Sequence, residues 1–81
     1  MKLPRDLDGL QLAGLLKRFG YHVTRQTGSH MRLKSELKGT EHCVTIPDHS
    51  PLRVGTLNAI LTDVGRYLSI TRDELLKALL G

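Results

Sequence analysis

Tyr21-His22-Val23-Thr24-Arg25-Gln26-Thr27-Gly28-Ser29-His30-Met31-Arg32-Leu33-Lys34 is the stretch whose reading decides the fold. Its first six residues are rich in aromatic and β-branched types and alternate, which predicts a strand over residues 21–26. Thr27-Gly28-Ser29 supplies a turn, and His30 to Lys34 forms a second strand. Met31 and Leu33 point one way along it, and His30, Arg32 and Lys34 point the other. Side chains alternate strictly on a strand, so burying Met31 and Leu33 forces His30 onto the exposed face beside two cations.

On the N-terminal side the spacing predicts a helix over residues 9–19. Asp8 is placed as N-cap, with Gln11 three positions on to complete a capping box and Leu7 and Leu12 to form a hydrophobic staple. Leu12, Leu15, Leu16 and Phe19 make its apolar stripe, and Gly20 stops it. On the C-terminal side Ser35 to Glu41 reads as a polar hairpin loop turning at Gly39. His42-Cys43-Val44-Thr45-Ile46 reads as a third strand ended by Pro47. After an extended Pro47-Asp48-His49-Ser50-Pro51 connection, Val54, Leu57, Leu61 and Val64 define a second helix. Its start lies either just after Ser50-Pro51 or nearer Gly55-Thr56, and Gly65 is its expected stop. Thr71 and Glu74 form the capping box of a third helix bearing Leu75, Leu76, Leu79 and Leu80. The order is α-β-β-β-α-α. The expected architecture is an α+β domain, a three-stranded antiparallel sheet with helices on one face and the His30 face open.

The chain has 81 residues, which is enough for one domain over 1–81 and too few for two. A domain of this size buries roughly 60–65% of its unfolded surface, so most apolar residues enter a single core. With one Phe, two Tyr and no Trp, that core is aliphatic. The net charge of +4 draws the domain to polyanions. Cys43 is the only cysteine, so no intrachain disulfide forms, as fits a reducing, cytoplasmic setting. No apolar run is long enough for a signal peptide or a membrane span.

His30 is the side chain best suited to move protons near neutral pH, and cations beside it point to an anionic, phosphodiester substrate. Its bland alternative is an exposed strand histidine without a role. Arg25, Arg32, Lys34 and Arg53 are candidate phosphate contacts, against the reading that they are solvated charges. Gly28 and Ser29 either place backbone N–H groups near a phosphate or form an ordinary turn. His22, His42, His49 and Cys43 lack the paired spacing of a zinc site, so no metal and no cofactor is expected. The apolar stripe of the third helix exceeds what a small sheet covers, which would leave a surface for a dimer or a partner.

Four segments together resemble the HicA family of bacterial toxins. They are Leu3-Pro4 with the helix ending Leu15-Leu16-Lys17-Arg18-Phe19-Gly20-Tyr21; Arg25-Gln26-Thr27-Gly28-Ser29-His30; Ile46-Pro47-Asp48-His49; and Gly55-Thr56-Leu57-Asn58-Ala59-Ile60-Leu61. They run in the family's order from residue 3 to about residue 65. The resemblance implies an α-β-β-β-α fold like that of double-stranded-RNA-binding domains, here with an extra C-terminal helix. It also implies metal-independent, ribosome-independent endoribonuclease cleavage of mRNA, with His30 as the single catalytic histidine. A HicB-like antitoxin would inhibit by covering the site. The chain departs from the family at Val54, where a second basic residue is common, and in a longer link from Arg66 to Arg72. A non-catalytic RNA-binding module of the same fold class remains the alternative, distinguished by binding without cleavage.

Overall fold

Asp8 sets the start of α1 (Gly9–Leu16). In this computed structural model, which describes residues 3–80, the Gln11 N–H donates to the Asp8 carboxylate at 3.3 Å. The Asp8 N–H donates to the Gln11 side chain at 3.0 Å, which completes the expected capping box. Met1, Lys2 and Gly81, which the expected domain of 1–81 includes, lie outside the described residues. A single 3-10 turn over Lys17–Phe19 tightens the end of the helix, and Gly20 stops it at φ 80°.

The strands β1 (His22–Thr27), β2 (His30–Ser35) and β3 (His42–Pro47) form one antiparallel sheet in the order β1-β2-β3. Tyr21 precedes β1 and is buried, and Thr27 belongs to the strand, where it pairs with His30. The turn is therefore Gly28-Ser29 alone. Gly28 has φ 57°, the positive value that a two-residue hairpin of type II′ requires at its first position.

Met31 and Leu33 of β2, with Val44 and Ile46 of β3, pack against Leu12 and Leu16 of α1 and against Leu57 and Leu61 of α2 (Val54–Leu68). Each such side chain contributes about 1.5–3 kcal/mol by leaving water, and together they hold the helices on one face of the sheet. β1 lies beyond this cover, and all six of its residues are exposed.

α2 begins directly after Arg53, and it does not stop at Gly65 as the sequence predicts. It runs a further turn to Leu68, and Ser69 at φ 62° takes the left-handed position. The Ile70 N–H donates to the Gly65 carbonyl at 2.9 Å and the Ser69 N–H to that of Arg66 at 3.3 Å, which closes the helix end. Gly65 instead marks a close approach, because a Cβ there would sit 2.9 Å from the Ile70 carbonyl oxygen.

The Thr71–Glu74 box opens α3 (Arg72–Leu80) with bonds of 3.0 and 2.9 Å. The Thr71 backbone N–H holds the Glu74 carboxyl below its usual range. Leu75, Leu76 and Leu79 are buried, so the apolar surplus expected on this helix reduces to Leu80. α3 packs on α2 rather than on the sheet, which is how it covers more than the sheet alone could. No helix among the described residues is long and apolar enough to cross a membrane.

The connection after β3 is tied down at three points. The Asp48 N–H donates to Ser29 at 2.6 Å, the Gly9 N–H to His49 at 3.0 Å, and the Leu52 N–H to Leu7 at 2.8 Å. These bonds fix the Gly28-Ser29 corner, and with it the start of β2, to the head of α1.

Two glycines of α1 are expected to respond oppositely to alanine. A Cβ at Gly9 would lie 2.1 Å from the Pro47 carbonyl oxygen, whereas nothing lies within 4 Å at Gly14. Gly9→Ala should lower stability by about 1–3 kcal/mol through forced backbone shifts. Gly14→Ala should raise it by about 0.5–1 kcal/mol. Urea titration of both variants checks the signs.

Candidate functional site

A break in the pairing of β1 decides which side chains share the open face. Val23 pairs with Leu33, but the next pair is Arg25 with Arg32, because the register shifts at Thr24. This β-bulge changes the parity of the strand. Without it Arg25 would fall on the face of Val23; with it Arg25 and Thr27 stand on the face of Arg32 and His30. The Thr24 hydroxyl, donating to the Arg32 carbonyl at 3.3 Å, occupies the irregular position.

Three cross-strand rungs result on the open face: Thr27–His30–Pro47, Arg25–Arg32–Thr45 and His22–Lys34–Cys43. Arg25, Thr27, His30, Arg32 and Thr45 line an open depression of about 200 Å³. Of the side chains predicted for the site, the fold brings His30, Arg25 and Arg32 together here. Thr27 and Thr45 join them unpredicted. The signal for Thr45 was present, since burying Val44 and Ile46 turns it outward. The bulge carried no such mark, having no glycine to announce it.

His30 is exposed, and its ring has no hydrogen-bond or ion-pair partner among the described residues. Both ring nitrogens are thus free to meet a ligand. Its backbone is held from both sides, by Thr27 and by Pro47. Gly28 and Ser29 form the corner beside it, where the Ser29 carbonyl is taken by Asp48.

Arg25 and Arg32 also form no ion pair with a carboxylate among the described residues, although the Arg32 charge, after that of Lys34, helps hold the Glu41 carboxyl low. Like charges directly opposite one another on a sheet destabilise it, so this pair is arranged at the expense of the fold. An anion between the two guanidinium groups would reverse the sign of that interaction.

The other predicted contacts lie outside the depression. Lys34 is on the same face, but its ammonium pairs with Glu41 at 2.9 Å and Glu36 at 3.7 Å. The hydrogen bond to Glu41 raises the Lys34 pKa and holds the Glu41 carboxyl below its usual range. Arg53 is exposed at the N-terminus of α2, without a side-chain cap.

A second histidine cluster lies at the opposite end of the sheet. His42 Nδ1 is 2.6 Å from the Tyr21 hydroxyl, and its Nε2 is 3.3 Å from Asp63. The ring stacks on Tyr67 with centroids 4.7 Å apart. Burial pushes the Tyr21 hydroxyl well above its ordinary pKa, so it stays protonated and can donate to Nδ1, which leaves Nε2–H for Asp63. Tyr67 in turn bonds Thr40 and Lys38 in the loop before β3. The cluster is half-buried, with only Tyr21 fully in the core, and locks this loop to α2. No group of three metal-ligating side chains occurs among the described residues.

Comparison with protein-family models gives a match over residues 11–65 to the HicA toxin of bacterial toxin–antitoxin systems. The matched span includes the bulged β1, the Gly28-Ser29 corner, His30 and most of α2. Neither the curated proteins nor the solved structures give a match. By its family match the chain belongs to the HicA family of toxins.

Proposed function

We propose that the chain is a ribosome-independent endoribonuclease that cleaves mRNA at His30, and that a HicB-like antitoxin silences it by covering the open face. The observation that carries the reading is the His30 imidazole, without a hydrogen-bond or ion-pair partner among the described residues, beside two arginines that form no ion pair there, all in one depression. His30 takes the proton of a ribose 2′-hydroxyl as that oxygen attacks the adjacent phosphorus. The P–O5′ bond breaks, the leaving oxygen takes a proton from water or from the imidazolium, and the products are a 2′,3′-cyclic phosphate and a 5′-hydroxyl. Arg25 and Arg32, one rung from His30, hold the phosphate next to the scissile one and so keep the strand in place for the attack. The hydroxyls of Thr27 and Thr45 are placed to bond phosphate or ribose. This route draws on no metal.

No outward rung carries a Phe, Tyr or Trp side chain, since Phe19, Tyr21 and Tyr67 all pack against the core side, and the outward rings are the imidazoles of His22 and His30. Bases therefore lack a large aromatic platform, and contacts to the backbone dominate on this face.

His30→Ala should reduce cleavage of a single-stranded RNA by about 10²–10⁴-fold and abolish growth arrest on expression. Cleavage by that variant at the wild-type rate, or a 5′-phosphate on the downstream product, would overturn the mechanism. Binding of RNA without cleavage by the wild type would favour a non-catalytic module instead.

Arg25→Thr separates recognition from stability. Relief of the like-charge pair should raise stability by about 0.2–1 kcal/mol. Loss of a phosphate contact should reduce the slope of log affinity against log salt by about 0.7 for a single strand. Thermal melts and a salt series on the same variant measure both, and a variant that loses stability and keeps its salt slope contradicts the assignment.

A further inference from the structure

The outward face divides into two regions of opposite charge. Around the depression stand Arg25 and Arg32, which form no ion pair with a carboxylate among the described residues. One rung further along, Lys34 is held between Glu41 at 2.9 Å and Glu36 at 3.7 Å. Within this triad one cation stands against two carboxylates, a net charge of −1. The Lys34 carboxylate partners come from the loop between β2 and β3, on the side of the sheet away from the Gly28-Ser29 corner. Anything that runs along the face from His30 past the arginines therefore meets this negative cluster next.

Rungs on one face are two residues apart, or about 6.6–6.8 Å along the strand. That is comparable to the separation of consecutive phosphates on an extended single strand. A strand with its scissile phosphate at His30 places the neighbouring phosphate between Arg25 and Arg32. The next phosphate in that direction falls on the third rung.

We infer that Lys34, Glu36 and Glu41 form an electrostatic fence that ends the RNA track after the phosphate held by Arg25 and Arg32. This inference rests on the proposed RNA-cleaving function and assigns specificity, not catalysis, to the two glutamates. Lys34 lies in line with the track and is withdrawn from it by its carboxylates. A third phosphate approaching the rung meets repulsion from Glu36 and Glu41. The site then selects for strands that leave the surface beyond two phosphates, as a single strand can by bending and a stiff duplex cannot.

The test uses the full chain and single-stranded 2′-O-methyl oligonucleotides, whose blocked 2′-oxygens cannot attack phosphorus. For the wild type, lengthening the strand in one chain direction should add affinity for the phosphate at the arginines and then stop. Glu36→Gln with Glu41→Gln should let one further phosphate bind in that direction, steepening the salt slope by about 0.7. Adding Lys34→Ala to those two changes should return the slope to the wild-type value. Equal gains in both directions for the wild type would overturn the fence, whatever the variants do. So would a double variant with an unaltered slope, or a steeper slope that survives Lys34→Ala. In each of those cases binding itself stands, and the RNA-cleaving reading is untouched. Absence of salt-dependent binding by the wild type would overturn that reading and the fence together.

Discussion

β2 is the one strand of the sheet with a neighbour on each side, and its alternation constrains everything else. Met31 and Leu33 are buried to within 1% of complete, so they cannot exchange faces with His30 and Arg32. A slip of one residue would put an imidazole and a guanidinium into an aliphatic core, where no partner waits for either. Helix packing on one side and a polar face on the other are thus two results of a single parity. β3 obeys the same parity without adjustment. β1 obeys it only by means of the bulge at Thr24.

The division of labour among the strands is uneven. β3 and β2 carry the core, while β1 buries no residue and is joined to the rest mainly through β2, with a lighter contact to α1. A strand that adds so little burial can hold an arginine opposite another arginine, because the cost is small against the packing elsewhere. The irregular pairing also serves an edge strand well, since a bulged, charged edge resists pairing with other chains. Stability is thereby concentrated away from the surface on which the charges stand.

Local signals in the sequence told most about local structure. The two capping boxes, Asp8 with Gln11 and Thr71 with Glu74, are visible because both partners lie three residues apart. The outward placement of His30 and Arg32 followed from alternation alone. What escaped notice depends on residues distant in sequence. Gly65 reads as a helix stop until the chain at Ile70 is seen folding back over it. Lys34 reads as a free cation until the loop brings Glu41 to it from seven positions on. Leu76 and Leu79 read as surplus until α3 is found resting on α2, and Arg25 gives no hint of its face until Thr24 is seen to break step.

The Tyr21–His42–Tyr67 cluster bears on how this molecule can be watched. The chain has no tryptophan, and both of its tyrosines belong to that cluster, with ring centroids 6.4 Å apart. His42 pairs with Ser35, five residues along β2 from His30, so the cluster sits about 16–17 Å from the imidazole of the depression. Intrinsic ultraviolet emission therefore originates at the far end of the sheet, under the core. It will follow the melting of the loop before β3 and of α2 faithfully, while the face that carries His30 remains optically dark.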